Sequence, residues 1–243
     1  MTPRTGNDRS GGVADGVADL ESPGAAEDLY RYRSPDVPRS RPVMQGDVFE
    51  EIEIPGLDDG LGLAVVMTHA CSMRQGANLR PRLLMGRVAT RQQPIALPWK
   101  GHFAVLPLPD LRTDKPEDNY ILSFDELGTV VTATLDLAAR IACLDDFGIA
   151  LLNQRHAHYF TRYAVETAVL HEQSANVLVE AELLEDWIEA AVPDDAEDWD
   201  ARASAHTAEF DQFVGPHRND LKKPSRRAAV RRIVNEEIRR RFG

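Results

Sequence analysis

The sequence predicts an α+β protein, with a small antiparallel β-barrel-like N-terminal domain followed by a mostly helical C-terminal region. Short apolar or alternating runs recur closely up to residue 130, with glycine and proline between them, as in small antiparallel barrels. From about residue 135 the apolar residues recur at helical spacing instead. We therefore expect a disordered leader (1–40), a barrel-like domain (41–130), a helical region with an acidic face (131–215) and a basic C-terminal helix (216–243).

Composition narrows the class of protein. Of the 243 residues, 43% are apolar, and 39 acidic against 28 basic residues give a net charge of −11. This charge argues against uniform wrapping of nucleic acid but permits a local basic patch. We expect no membrane segment, because no apolar run approaches about 20 residues and no signal-peptide core is present. Two cysteines make no disulfide framework, so we expect a cytoplasmic protein, and the richness in Arg, Ala, Asp and Gly suggests a bacterial one.

The predicted strands begin after a turn at Gly46 and Asp47. Residues 48–54 roughly alternate apolar and acidic side chains, which indicates a half-buried strand. Residues 63–67 are a continuous apolar run too short for a helix, which indicates a central strand. Further strands are predicted over residues 79–90, 95–97, 102–108 and 120–124.

The predicted helices lie in the second half of the chain. A helical face is expected within residues 135–142, and Asp145 is expected to cap a helix over residues 146–162. An acidic helix over residues 173–191 is predicted to bury a stripe that includes Trp187. The remaining helices are predicted over residues 198–213 and 225–242.

A polar turn after residues 63–67 carries the candidate catalytic residues. Thr68, His69 and Cys71 bring a hydroxyl, an imidazole and a thiol to the end of a strand, where scaffolds commonly place reactive groups. A nearby base would convert the thiol into a nucleophilic thiolate. The alternative is a packed, hydrogen-bonded turn. The sequence leaves both interpretations open.

Arginines close to this turn form a candidate anion site. Arg80 and Arg82 share a face if their segment is a strand, and Arg74 and Arg87 are near them in sequence. Paired guanidiniums suit a phosphodiester or another anion. A solvated strand face is the alternative. No spacing of His and Cys matches a zinc site, and we expect neither a metal nor another cofactor.

The C-terminal tail is a second candidate binding surface. Residues 217–243 hold ten Lys or Arg and three acids, whereas residues 166–200 hold twelve acids and no Lys or Arg. The tail is therefore suited to nucleic-acid phosphates, to an acidic protein partner, or to docking on the chain's own acidic helices. Its candidate binding residues are Arg226, Arg227, Arg231, Arg232, Arg239 and Arg240.

The run Gly46-Asp47-Val48-Phe49, followed by the buried strand over residues 64–68, opens the predicted barrel. This arrangement resembles the SH3-like barrel of PemK/MazF-type toxins, over residues 41–90 alone. The resemblance implies a small barrel and, from that family, a metal-independent endoribonuclease that uses Arg and Thr or Ser at the barrel surface. The chain departs from the family's pattern in its His69 and Cys71 and in its long helical half.

Two functional hypotheses follow. The favoured one is a non-enzymatic binding or adaptor component that recognises a protein partner, with nucleic acid as a second class of partner through the C-terminal helix. It rests on segregated acidic and basic segments and on a sequence without a nucleotide loop, paired-carboxylate site or triad. The alternative is a metal-independent hydrolase of RNA phosphodiesters, in which Arg80 and Arg82 stabilise charge and His69 acts as acid or base. The sequence does not indicate an oligomeric state.

Overall fold

The computed structural model describes residues 20–57, 60–75 and 78–243. Within these ranges lie nine strands: β1 (Tyr30–Arg33), β2 (Asp47–Glu53), β3 (Leu61–Val66), β4 (Arg74–Gln75), β5 (Asn78–Leu79), β6 (Arg82–Arg91), β7 (Val105–Leu108), β8 (Asn119–Val131) and β9 (Arg140–Leu144). Seven strands form one curled antiparallel sheet, a half-barrel, in the order β1-β9-β2-β3-β6-β8-β7, while β4 and β5 form a separate ribbon. Helices follow the sheet in the chain, which confirms the predicted α+β class.

The helices build a second core beside the sheet. Five α-helices lie in the described part of the chain: α1 (Asp146–Thr161), α2 (Thr167–Ala191), α3 (Trp199–Val214), α4 (Arg218–Leu221) and α5 (Pro224–Phe242). Side chains of α1 and the first half of α2 join the core on one face of the sheet. Trp187, in the second half of α2, is fully buried against Phe210 of α3 and Phe242 of α5. The helical region therefore has an apolar core of its own.

The second half of strand β3, residues 64–66, is buried on both faces, as its continuous apolar run predicts. Val65 belongs to the core that the sheet shares with α1 and α2. Ala64 and Val66 point the other way, into a core formed by the sheet itself with Phe49 and Leu83. A strand covered on both sides loses the polar alternation of a half-exposed strand. The central position of β3 therefore explains its composition.

The two edges of the half-barrel are tied together by side chains. The Tyr30 hydroxyl, on edge strand β1, donates to the carbonyl oxygen of Pro109 at 2.9 Å, just beyond edge strand β7. Arg33 Nη1 donates to the carbonyl oxygen of Asp110 at 2.7 Å. These bonds join the open edges without a ladder of backbone hydrogen bonds, and they shield polar groups that could otherwise pair with another chain.

The predicted disordered leader is too long. Residues 1–19 lie outside the described residues, but Leu29 is fully buried and β1 pairs with β9 in the sheet. Tyr30 and Tyr32, two isolated apolar positions in a polar segment, are held by tertiary contacts that local composition does not reveal. Ordered structure therefore begins well before residue 41.

The helical face predicted within residues 135–142 is wrong. Residues 140–144 form β9, which lies between β1 and β2 and is buried along its whole length. After Arg140, the strand is buried on both faces and is apolar at every position, so helical spacing and strand spacing both fit it. The sheet therefore extends beyond the predicted domain boundary at residue 130.

Three strand predictions need smaller corrections. The strand predicted over residues 79–90 is interrupted at Arg80 and Pro81, because proline cannot donate to a strand ladder. Residues 95–97 lie in a loop, and β8 continues past residue 124 to Val131. The helix over 146–162 matches α1, and Asp145 caps it by accepting a hydrogen bond from the Gly148 N–H at 2.6 Å.

None of the helices in the described ranges is long and apolar enough to cross a bilayer. The cytoplasmic location stays a prediction.

Candidate binding cleft

The hydroxyl of Thr68 takes part in the hydrogen bonding at the end of the sheet. Thr68 Oγ1 accepts a hydrogen bond from the Leu84 N–H at 2.7 Å, and the Thr68 N–H donates back to the Leu84 carbonyl at 3.2 Å. This reciprocal pair extends the contact between β3 and β6 beyond the last ladder residue. The hydroxyl oxygen therefore satisfies a backbone donor.

His69 and Cys71 face helix α2. His69 Nδ1 accepts a hydrogen bond from the Cys71 backbone N–H at 3.3 Å, and its Nε2 lies 3.2 Å from Ser174 Oγ. The Cys71 thiol donates to the Gln173 carbonyl at 3.8 Å. Burial lowers the pKa of the His69 imidazole and raises the pKa of the Cys71 thiol, which favours the neutral form of both. The turn therefore packs against α2. The imidazole and the thiol are directed to Ser174 and Gln173 of that helix and not to each other.

The four arginines near the turn occupy three different environments. Arg80 and Arg82 are exposed to solvent. Arg87 is buried and donates to the carbonyl oxygens of Ile52 and Gly60 at 3.0 and 2.8 Å, which ties the β2–β3 hairpin to β6. Arg74 turns inward, and its Nη2 donates to the Val43 carbonyl oxygen at 2.8 Å. The structure does not gather these guanidiniums into one site.

Part of the basic tail docks on the acidic helix α2. Arg227 Nη2 lies 2.9 Å from a carboxylate oxygen of Glu172, and Arg231 pairs with Glu182. Both arginines lie on the side of α5 that also buries Val230 against the helical core. Docking within the chain therefore uses two of the six arginines of the tail that were predicted to bind a partner.

The other four candidate arginines of the tail are exposed to solvent. Arg240 is exposed and binds Glu237 of the same helix at 2.5 Å. Arg226, Arg232 and Arg239 are exposed as well, and they surround the solvent-facing side of α5. These four residues are the part of the predicted basic surface that an approaching molecule would meet.

A buried ion-pair network holds the helices to the sheet. Asp47 of β2 binds Arg140 of β9 at 2.9 Å, and Arg41 lies 3.9 Å from the same carboxylate. Arg41 also reaches Glu185 of α2 at 3.1 Å, and the Tyr32 hydroxyl donates to that glutamate at 2.9 Å. Buried charges are costly unless paired, so the network fixes how α2 lies on the sheet.

Beside this network, an open cleft of about 720 Å³ separates the sheet from the helices. Segment 39–43, the β4–β5 ribbon and segment 135–138 form one wall. The other wall consists of α3 and the second half of α2. At the rim, the Arg39 guanidinium lies 4.7 Å above the Trp199 ring and 3.3 Å from the Asp200 carboxylate. Residues of both walls that an occupant would meet include Asn78, Leu135, Leu137, Leu184, Ile188, Ser204, Thr207, Ala208 and Gln212.

A smaller chamber of about 200 Å³ adjoins the cleft. Pro42, Arg74, Leu184 and Asp211 line both spaces, so one opens beside the other. The other walls of the chamber come from the Cys71 turn, from α2, from α3 and from Arg218 of α4. Its further lining residues are Met44, Ala70, Cys71, Val177, Glu180, Ala181, Phe210 and Arg218.

Sequence reasoning missed both the cleft and the chamber. Their walls come from segments far apart in the chain, and the linking segments 39–43 and 135–138 have no pattern that indicates a binding wall. One indirect signal is the position of Arg74 close to the polar turn that contains Cys71. Their common environment is the chamber, which only the packing of α2 and α3 against the turn creates.

No protein-family model matches the chain, and no curated protein gives a significant match. The class of protein is therefore defined by its architecture, an α+β protein with a half-barrel sheet and a helical region that meet at a cleft. The resemblance to PemK/MazF-type toxins stays a prediction.

Proposed function

We propose that the protein is a non-enzymatic adaptor that binds an extended segment of a protein partner in the cleft between the sheet and α3. The observation that carries this proposal is the cleft itself, about 720 Å³ in volume and walled by both halves of the molecule. Its volume lies in the range of sites that hold drug-sized ligands, and a short peptide segment is of that size.

The chemistry of the walls suits a peptide. Leu135 and Leu137 offer apolar surface, and Leu137 is more than one-third exposed despite its size. Asn78, Ser204 and Gln212 supply donors and acceptors for a peptide backbone. An extended peptide needs such a combination, because its backbone must be hydrogen-bonded while alternate side chains are buried.

The state of the polar turn supports binding over catalysis. The hydroxyl of Thr68 is engaged by the backbone, and both ring nitrogens of His69 lie within hydrogen-bond distance of groups of the chain itself. A general base must reach the proton that it abstracts. These internal hydrogen bonds instead suit a turn that docks α2 and thereby forms one wall of the chamber.

The outward arginines of α5 give the adaptor a second contact. Arg226, Arg232 and Arg239 offer positive charge on an otherwise acidic protein. A partner with an acidic surface would be steered toward this side, and the attraction would weaken with salt. Nucleic acid is the other class of partner that this face would attract.

Selection from a library of random displayed peptides tests the proposal, with two tryptophan variants of the same helix. Ala208 and Ala205 are both exposed on α3, but Ala208 lines the cleft and Ala205 does not. We expect selected peptides to bind wild type and A205W equally and A208W at least about tenfold more weakly, since the indole fills the cleft. Equal binding by A205W and A208W would overturn the proposal.

Incubation with labelled single-stranded RNA tests the hydrolase hypothesis in parallel. The adaptor proposal predicts intact RNA over hours, with any binding weakened by salt and by loss of Arg226 and Arg232. Cleavage that disappears in His69→Ala but persists in Arg226→Gln would show that the polar turn is catalytic. That result would replace the adaptor proposal.

A further inference from the structure

We propose that the exposed side of α5 binds double-stranded DNA by lying in the major groove. None of the residues that line the cleft belongs to α5, so this function is separate from the binding of a protein partner and goes beyond it. The features that carry it are a stripe of exposed side chains along the helix, two guanidiniums without an anion, and the small size of the apolar residues on that side.

Helical spacing places four exposed residues of α5 in one line. They follow one another at intervals of four, three and four positions and are Ala228, Arg232, Asn235 and Arg239. At about 100° per residue, Arg232 lies opposite Val230 and Val234, which are buried in the helical core. The stripe therefore runs along the part of α5 that stands furthest from that core, over a length of about 16 Å.

The inner arginines of α5 neutralise acidic side chains beneath the helix. Three of them reach α2 or α3, in the pairs Arg227–Glu172, Arg231–Glu182 and Arg241–Glu209. The guanidiniums of Arg232 and Arg239 have no ion pair or hydrogen bond within the described residues. Their charge is therefore available to an anion from outside, although the whole chain has a net charge of −11. A polyanion that met them would release counterions on binding.

The side chains of the stripe favour a nucleic acid over a protein as the partner of this side. Protein interfaces depend on buried aromatic or aliphatic anchors, and their centres are depleted of charge. The stripe has no apolar side chain larger than that of Ala228, and none of the large apolar side chains that are exposed in the described ranges lies in α5. Interfaces with DNA are polar and rich in positive charge, which matches the stripe.

The same residues favour a duplex over a single strand, and DNA over RNA. Single strands are held by aromatic side chains on which the bases stack, and the stripe has none. The major groove of B-DNA is about 12 Å wide and admits an α-helix. The major groove of an RNA helix is too narrow for side chains to read. Double-stranded DNA is therefore the nucleic acid that accommodates a helix of this kind.

The polar side chains of the stripe are of the types that contact base edges. A guanidinium pairs with the N7 and O6 atoms of guanine, and a carboxamide pairs with adenine. Arg232 and Arg239 lie two turns apart, with Asn235 between them, so the three reach neighbouring parts of one groove. Glu236 is exposed beside the stripe, and its carboxylate would repel phosphates. Removal of this one charge should therefore strengthen DNA binding.

Fluorescence anisotropy of a short labelled DNA duplex of random sequence tests the inference on the full chain. Arg232→Gln/Arg239→Gln removes the two free guanidiniums, and Arg91→Gln/Arg162→Gln removes two exposed arginines elsewhere. In about 50 mM salt we expect wild type and the Arg91/Arg162 variant to bind alike and the α5 variant to bind at least about tenfold more weakly. No binding by wild type would overturn the inference, and so would equal losses in the two variants.

Three further probes identify the class of partner. They are single-stranded DNA, duplex RNA of the same sequence, and an acidic peptide. We expect each to bind at least about tenfold more weakly than the DNA duplex. An equal affinity for single-stranded DNA or duplex RNA would exclude binding through the major groove of DNA. An equal affinity for the acidic peptide would assign this side of α5 to a protein partner and overturn the inference.

A variant that gains affinity guards against loss of binding through misfolding. We expect Glu236→Gln to bind the duplex more tightly than wild type does, because it removes a negative charge beside the stripe. Glu53→Gln removes an exposed carboxylate of β2 and should leave the affinity unchanged. Weaker binding by Glu236→Gln, or an equal gain in both variants, would contradict the approach of DNA to this side of α5.

Peptides that bind in the cleft separate this inference from the proposed function. We expect Arg232→Gln/Arg239→Gln to bind them as wild type does, and A208W to bind DNA as wild type does, because the two surfaces do not share residues. A wild-type protein that binds these peptides but not DNA would overturn this inference alone. A protein that binds DNA but none of the peptides would overturn the proposed function and leave the role of α5 in place.

Discussion

The carboxylate of Asp47 and the guanidinium of Arg140 form a buried ion pair, with 2.9 Å between their nearest atoms and at most 1% of either side chain exposed. The pair joins β2 to β9, and Arg140 also donates to the carbonyl oxygen of Arg41 at 2.8 Å. Asp47 in turn accepts the Met44 N–H at 2.9 Å. One carboxylate thus fixes the turn before β2, the neighbouring strand, and the segment that forms the cleft wall.

Removing the charge of Asp47 is expected to destabilise the fold severely. Asp47→Asn leaves Arg140 and Arg41 without their shared anion in a buried site, and breaking a buried pair from one side costs about 3–5 kcal/mol. Asp198→Asn removes an exposed partner of Arg202 and should cost less than about 1 kcal/mol. Urea unfolding of both variants measures the difference. Similar losses in the two would mean that the buried pair does not hold the fold.

Thr68 is expected to act through its hydroxyl oxygen on the backbone. Thr68→Val keeps the shape but leaves the Leu84 N–H without its acceptor, which should lower the free energy of unfolding by about 1–3 kcal/mol. Thr68→Ser keeps the acceptor and should lose much less. Thermal melts of the two variants measure this difference in stability. If valine were as stable as serine, the structural role assigned to this hydroxyl would be wrong.

Gly46 is expected to tolerate no side chain. Its φ of +86° is strained for other residues, and an added Cβ would lie 2.9 Å from the Leu144 side chain. Gly56 has a similar φ of +93°, with nothing within 4 Å of an added Cβ. Gly56→Ala should therefore show the backbone cost alone, about 1–2 kcal/mol, and Gly46→Ala should exceed it. Equal urea midpoints for the two variants would exclude a contribution from Leu144.

His158 is expected to make stability depend on pH. Burial, with the nearby charges of Arg162 and Arg155, lowers its pKa below the ordinary value of 6.5. The unfolded chain therefore binds a proton before the folded one, and the free energy of unfolding should fall as the pH is lowered through about 6.5 toward the folded pKa. His158→Gln should flatten this decline while leaving the slope above pH 8 unchanged. Parallel slopes for both proteins between pH 7 and 5 would contradict the prediction.

Adjacent arginines of α5 are expected to differ in their effect on stability. Arg231 pairs with Glu182 of α2, whereas Arg232 is exposed on the outer side. Since Arg231 is itself partly exposed, Arg231→Gln should cost only about 0.2–1 kcal/mol, and that cost should shrink in high salt. Arg232→Gln should leave the melting temperature unchanged. A salt-independent loss in both variants would argue against docking of the tail through ion pairs.

Features that depend on neighbouring residues could be predicted from the sequence. Asp145 lies before a helical apolar pattern and caps α1, and the stripe that includes Leu178 and Trp187 is buried in α2. The apolar run over residues 63–67 predicts a strand buried on both faces. All of this run except Met67 lies in the central strand β3. Each of these signals is complete within one helix or one strand.

Features that depend on distant residues could not be predicted. The role of β9 follows from pairing with residues 30–33 and 47–49, which its own sequence does not encode. The cleft and the chamber depend on how α2 and α3 lie on the sheet. The arginines show the same limit, since Arg74, Arg80 and Arg87 look alike in sequence and end in three environments.

The strand order of the half-barrel has a consequence for synthesis of the chain on the ribosome. Within the described residues, β1 is the first strand to emerge, and it pairs with β9, the last strand of the sheet; β2 also needs β9 as a neighbour. Until residue 144 has left the exit tunnel, the polar edges of β1 and one side of β2 stay unpaired. Nascent chains of this protein are therefore expected to depend on protection by chaperones up to that point, and to complete their sheet only when α1 begins to emerge.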